Sequence, residues 1–442
     1  MKRKGISTCW VIALFATMIS ISMVGSIQAA DLAKSPKHTV LAVEHFSPIS
    51  GASWCGSFHA ACQWLDKKYP WLDYLYQENV GPDSTIAVAK DFIKNRHANI
   101  VISNAEFMAL PIEAIYKDYP NVYFMGNIAS DTESRGQNWI RYFGRQYQSL
   151  YLAGMVAGAI TKTNAIGIVT PFPAVQVCRR INGFTLGVKA VNPKAKIYLG
   201  TYVGAWYDPP TEREAGEKLV DKFKVDVLTT NCDSSAPVDV AKEKGIWFIG
   251  KDVDVVKVGW ATEDTVATSF IWNWQVIIDR VLSDYMKGNI SPRNLYFIGM
   301  EEPLFTPEEL IPVVDIANNG KSGIDSISPK ARKEMTKSEI DLINMRRDEM
   351  LNGEWDPFEY YELVDAKTGK VRSPAGEIPS DEDLLSKMDY YIPGVVPPKY
   401  YLLTAAVSFY WARRRVNQRR QGLMKVYRLR RRSEVITPRG KE

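Results

Sequence analysis

Residues 165–170 read AIGIVT, residues 225–231 read VDVLTTN and residues 246–250 read IWFIG. Each is a short run rich in Val, Ile and Thr. Between them lie Val175–Val191, Glu212–Phe223 and Pro237–Lys244, whose apolar residues recur at helical spacing. An apolar run of about 4–8 residues between helical stretches marks a strand buried on both faces, and such strands belong to parallel sheets with helices above and below. Right-handed crossovers then order the helices over the sheet.

The same alternation precedes this block. His38–Phe46 (HTVLAVEHF), Leu72–Val80, Ala98–Ser103 (ANIVIS) and Asn121–Asn127 read as strands. Ser53–Tyr69, Thr85–Asn95 and Ala109–Tyr119 read as helices. A hinge is expected near 130–140, followed by the helix Arg145–Ile160, whose Gly154 and Gly158 suit close packing on a sheet. The expected fold is α/β: two Rossmann-like parallel-sheet lobes joined by a hinge, with ligands in the cleft between them. Lobe 1 spans about 31–135 and is completed by about 262–300. Lobe 2 spans 136–261, covered by about 301–397.

Charge is segregated along the chain. Residues 398–442 hold 13 Lys/Arg against 2 Asp/Glu, and residues 1–30 hold three bases and no acid, while the whole chain carries only +5. The body between them is therefore acidic, which argues against nucleic acid as a partner, since phosphate binding needs a basic footprint. Met1–Ala30 reads as a cleaved secretory signal: Lys2-Arg3-Lys4, an apolar Cys9–Val24, then small residues. No Cys follows that apolar core, so a lipid anchor is not expected, and the product should be exported to the periplasm. The basic tail, with apolar 400–412 ahead of Arg413-Arg-Arg415, suits a membrane surface.

Four Cys follow residue 30. Cys55 and Cys62 would be too far apart on one helix to bridge; Cys178 with Cys232 is the better pair, and free buried thiols are the simplest expectation. The chain has four His, none beyond His97, and no G-x-S-x-G, HExxH, Cys-x-x-Cys or P-loop sequence. Neither enzyme chemistry nor a cofactor or metal is indicated. Binding is the expected role.

Ligand groups gather at the carboxyl ends of parallel strands. Those ends here are Ser47–Trp54, Ser103-Asn104, Thr170–Pro173 with Phe172, Gly204–Pro209 with Trp206 and Asp208, Asn231–Ser235 with Asp233, and Lys251–Asp254. Aromatics and carboxylates alternate, as a flat heterocycle would require: indole faces stack on the ring and carboxylates accept its N–H groups. The candidate ligand residues are Ser53, Trp54, Asn104, Phe172, Trp206, Asp233 and Asp254. Asp208 and Asp233 also suit helix capping.

Several of these runs carry a resemblance. Ser53-Trp54, Tyr142–Tyr147 with Tyr151–Gly158, Ile181–Gly187, Trp206-Tyr-Asp-Pro209, Asp233-Ser234, Gly250 with Asp254, Trp272-Asn-Trp274 and Gly369–Arg372 together resemble the basic membrane protein family of ABC-transporter substrate-binding proteins, over about 38–397. That resemblance implies a type I periplasmic binding protein closing around a purine base or nucleoside. It implies Trp54 and Trp206 as the two faces of an aromatic sandwich, Asp233 and Asp254 as acidic cleft residues, and a permease with a separate ATPase as partners. A sensor with the same clamp, or an exported nucleosidase using Asp233 or Asp254 as general base, are the other readings. The Ser50–Ser53 loop lacks the acidic residue common in relatives, and Phe58 stands where they often carry His.

Overall fold

A computed structural model describes residues 38–127, 136–288 and 294–398. The segment read as a secretory signal and the basic tail lie outside them. The first sheet has the order β11-β5-β4-β3-β1-β2. Its strands are β1 (Thr39–Glu44), β2 (Leu72–Gln77), β3 (Ile100–Ser103), β4 (Tyr123–Asn127), β5 (Trp139–Gly144) and β11 (Leu295–Ile298). All adjacent pairs are parallel. Strands β1, β3, β4 and β5 are buried along their whole length, as inner strands of a parallel sheet covered on both faces are.

The second sheet comprises β6 (Ala165–Val169), β7 (Lys196–Tyr198), β8 (Val227–Thr230), β9 (Trp247–Asp252) and β10 (Val266–Trp272). Later strands extend it. After a hairpin of β12 (Leu304–Phe305) and β13 (Leu310–Ile311), β14 (Val314–Asn318) and β15 (Lys321–Ser322) join one edge. A second small hairpin, β16 (Leu363–Val364) and β17 (Val371–Ser373), precedes β18 (Val395–Val396), which closes the other edge beside β7. Only β14 runs against the other strands, antiparallel to both β10 and β15. Segment 301–396 thus adds strands to both edges of the second sheet and carries two small hairpins of its own.

Sheet membership moves the lobe boundaries. Strand β5 falls after residue 136 yet pairs in the first sheet, and β10, assigned by sequence to the segment completing lobe 1, pairs in the second. The chain therefore changes lobe after Gly144, after Trp272 and after Ile298. Helix α4 (Tyr147–Ile160) follows the first crossover and packs along α5 (Val175–Val191). Here the glycines work helix against helix rather than helix against sheet. A Cβ at Gly154 would lie 2.2 Å from the Phe184 carbonyl oxygen, and one at Gly187 would lie 1.9 Å from that of Tyr151. No helix among the described residues is long and apolar enough to cross a membrane.

Cys55, Cys62, Cys178 and Cys232 are all buried and unpaired. The Cys178–Cys232 bridge is not formed. Burial pushes the Cys178 thiol up to about 12 and raises that of Cys232 well above its ordinary value, so neither is a thiolate at neutral pH.

Candidate functional site

The two lobes meet at the turn that starts α1 (Ser53–Lys68). Ala52 pairs with Ser234 in an isolated antiparallel bridge. The Ser53 amide donates to the Asp233 carbonyl at 2.8 Å, and the Asp233 amide donates to the Trp206 carbonyl at 2.8 Å. One run of backbone bonds therefore links the first lobe, the acidic loop after β8 and the aromatic turn before α6 (Pro209–Phe223). That turn is fixed by its own sequence: the Asp208 carboxylate accepts from the Thr211 amide and hydroxyl, and Pro209 occupies the first helical position.

Beneath this junction sits a buried ionic cluster. Lys251 ion-pairs with Asp233, lies 2.5 Å from Asp252, and donates to the Ser53 hydroxyl at 3.1 Å across the lobes. Asp252 also accepts from Arg180 at 3.1 Å and from Gln146 at 2.8 Å. None of the four charged side chains is more than 3% exposed. Burial and the neighbouring Asp252 raise Asp233, against the pull of Lys251. Burial would also raise Asp252, but Lys251 and Arg180 outweigh it and hold that carboxyl below its ordinary value. Burial would lower Lys251, yet the two aspartates keep it above normal. Two cations thus face two carboxylates with no net charge. Asp252 has φ +61°, a left-handed conformation disfavoured for a residue with a side chain. Such strain persists where the surroundings impose it, and it concentrates at functional sites.

The cluster also holds polar atoms with unfilled capacity. Gln146 Oε1, Arg180 Nε and the nearby strand-end Asn231 Oδ1 are buried with no hydrogen-bond partner among the described residues. Leaving such an atom unpaired costs about 1–3 kcal/mol, so native interiors rarely do it.

The sequence-predicted residues fall into two groups. Ser53, Asp233, Phe172 and Trp206 lie at or beside the interlobe junction. Phe172 and Trp206 form an edge-to-face pair with centroids 4.8 Å apart, and Trp206 is half-buried. Trp54 lies elsewhere. It is 7% exposed, its indole N–H donates to the Asn104 carbonyl at 2.8 Å, and its ring stacks on Phe143 at 6.2 Å. Trp272 and Trp274 present faces or edges to it at 6.0 and 5.1 Å. Its ring surface is taken up by this crossover cluster, so it does not stand opposite Trp206 as the free second plate of a sandwich.

Asn104 is likewise engaged internally. Its side-chain Oδ1 accepts from the Phe46 amide and its Nδ2 donates to His45 Nδ1, shaping the loop after β1. Asp254 accepts from the backbone amides of Lys257, Asn319 and Gly320 at 2.7–3.0 Å, which pins the β14–β15 hairpin to the loop after β9. A carboxylate so occupied is neither a ligand acceptor in the cleft nor a general base. Asp252, two residues earlier, turns instead into the buried cluster with Lys251 and Arg180. Sequence reasoning missed Lys251, Arg180 and Gln146. The signal was present: Lys251-Asp252 directly continues the buried run WFIG, and Arg179-Arg180 are consecutive in a helix whose neighbours are apolar, so both cannot reach water.

A family model described as "Bmp: ABC transporter substrate-binding protein PnrA-like" matches residues 38–303. The chain belongs to this family. A Haloferax volcanii protein named for glucose binding by an ABC transporter is 29% identical over 340 residues, covering 76% of this chain and 80% of its own. A purine-binding protein of Brucella abortus is 28% identical over 286 residues, covering 64% and 72%. Among solved structures, solute-binding proteins of ABC transporters from Aeropyrum pernix and Conexibacter woesei superpose with TM-scores of 0.56 and 0.54. They cover 72% of this chain and 92% and 98% of their own, at 15% and 19% identity, which establishes the fold: a type I periplasmic binding protein. This Bmp-family chain is an ABC-transporter solute-binding protein, a class that binds a small molecule for a membrane permease and performs no chemistry on it.

Proposed function

We propose that this solute-binding protein is exported and captures a planar, uncharged heterocycle, a purine base or nucleoside, between its lobes. The observation that carries the reading is the backbone run Ser53–Asp233–Trp206, which brings an aromatic platform and a buried acidic loop to the seam where the lobes touch. Trp206, buttressed edge-to-face by Phe172, supplies a stacking face, worth roughly 1–3 kcal/mol for a base. Gln146, Arg180 and Asn231 supply the unfilled donor and acceptors. The internally balanced charges of Lys251, Arg180, Asp233 and Asp252 leave no spare cation in that cluster for a phosphate or carboxylate.

Closure would then be a hinge motion about the three crossovers, with the trapped solute bridging the lobes. The purine-binding relative is consistent with this choice. The nucleosidase reading loses one of its two bases, because Asp254 is held by backbone amides. Native mass spectrometry of the protein purified without added solute tests the ligand class. A retained mass matching a purine base or nucleoside is expected; a retained sugar, and no purine, would reject it.

A further inference from the structure

Glu212 lies in the first turn of α6 and is fully buried. It touches none of the groups proposed to meet solute directly. Its Oε1 accepts from the Asp208 amide at 2.9 Å. Its Oε2 accepts from the Ser234 amide at 3.1 Å and the Ser234 hydroxyl at 2.7 Å. Asp208 closes the turn that carries Trp206, and Ser234 makes the bridge to Ala52 in the other lobe. One carboxylate is therefore shared between the aromatic platform and the interlobe contact.

We propose that Glu212 is a positioning residue whose ionised carboxylate locks the Trp206 turn to the lobe-closing Ser234, so that a proton on it releases both together. All three of its partners donate hydrogen bonds. A protonated oxygen can accept from only part of that set and places an O–H against an N–H. The groups around it are the Asp233 carboxylate, the Lys251 ammonium, the Cys232 thiol, the Tyr207 hydroxyl and the Asp208 carboxylate that caps the same helix. Burial, reinforced by Asp233, brings Glu212 up to about 7, so the proton arrives near neutrality. Tyr207 and Cys232 are both raised and stay protonated through that range, and Lys251 is raised and stays charged. Asp233 is also raised, mainly by burial, and Asp233→Asn takes it out of the comparison.

This inference goes beyond the solute assignment, and its test uses no solute. The full chain is labelled with 5-fluorotryptophan, the Trp206 fluorine resonance is assigned by Trp206→Phe, and its shift is followed between about pH 5.5 and 8.5. The expected result is a single titration near neutrality that persists in Asp233→Asn and vanishes in Glu212→Gln. Ser234→Ala, which removes one donor to the carboxylate, should move the midpoint upward, and it gives the answer even where Glu212→Gln fails to fold. A Trp206 resonance that does not titrate, that titrates unchanged in Glu212→Gln, or that keeps its midpoint in Ser234→Ala overturns the proposal.

Discussion

Lys251 of the second lobe places its ammonium 3.1 Å from the Ser53 hydroxyl of the first, while the same ammonium pairs with both Asp233 and Asp252. The interlobe contact and the charge balance of the site therefore depend on one side chain. Removing it leaves two buried carboxylates that share only Arg180. Breaking a buried pair by deleting one partner costs about 3–5 kcal/mol. Lys251→Met should lower unfolding free energy by that order in urea titrations, and Lys251→Met/Asp233→Asn should recover part of it. Equal losses in the single and double variants would show that the pair is not coupled.

The two tryptophans expected to act alike should respond differently. Trp54 is enclosed by Phe58, Phe143, Trp272 and Trp274, so Trp54→Ala opens a core cavity and should cost about 3–5 kcal/mol of stability. Trp206 is half-buried in a turn, so Trp206→Ala should cost far less stability and act on solute capture instead. Paired measurements of thermal unfolding and solute affinity on both variants separate the roles. A stable Trp54→Ala protein that has lost solute would return Trp54 to the binding surface.

Gly144 ends β5 at the first crossover, against the ring of Trp272 at the second. A Cβ there would lie 2.4 Å from Trp272 Cζ3 and 2.9 Å from Cη2. Trp272 stacks on Trp274 at 4.1 Å, and Trp274 on Phe58 at 4.2 Å, so the ring has little room to retreat. Gly144→Ala should destabilise by about 1–3 kcal/mol, the usual cost of overpacking. Melting curves of the purified variant read this directly; an unchanged transition would mean that the crossover stack is loose.

Glu44 gives a pH dependence with a definite sign. It is fully buried at the end of β1, and Oε2 accepts from Thr85 at 2.6 Å and Ser103 at 2.8 Å while Oε1 has no partner among the described residues. Burial raises it from 4.5 to about 7. The native state thus holds this proton more tightly than the unfolded chain, so the group costs stability above about pH 7 and the cost fades as pH falls toward 4.5. At ~1.4 kcal/mol per pH unit, Glu44→Gln should stabilise by on the order of 3 kcal/mol at pH 8 and by little near pH 4. Urea titrations at the two pH values check it, and the same increment at both would exclude burial of a charge as the cause.

Strands β1, β3, β6, β8 and β9 were readable because each is a largely apolar run between helical stretches, and AIGIVT and ANIVIS could hardly be anything else, whereas β5 and β10 were not read as strands at all. Lobe membership was not readable either. Strand β5 and the helix after it are adjacent in sequence but pack in different lobes, and no local pattern marks Gly144 as a crossover. At the junction, strand-end reading picked out loops that the fold brings together, those of Ser53, Phe172, Trp206 and Asp233. It could not tell which side chain of a loop turns inward. Asp252 and Asp254 are both acidic and two residues apart; the left-handed backbone at Asp252 and the amides of Asn319 and Gly320, more than 60 positions away, decide between them. Trp54 was misjudged for a similar reason. Its neighbours Phe143, Trp272 and Trp274 come from two crossovers and meet it only in three dimensions.

The central claim is that a flat, uncharged heterocycle rests on Trp206 at the seam between the lobes. Calorimetric titration of ligand-stripped protein with adenosine, guanosine, hypoxanthine and glucose tests it most directly, run in parallel on Trp206→Ala. Binding of at least one purine compound is expected, with none of glucose and an affinity loss of about tenfold or more in Trp206→Ala, as one lost stacking contact of over ~1.4 kcal/mol gives. Glucose binding with no response to the purines, or purine binding indifferent to Trp206→Ala, would contradict it.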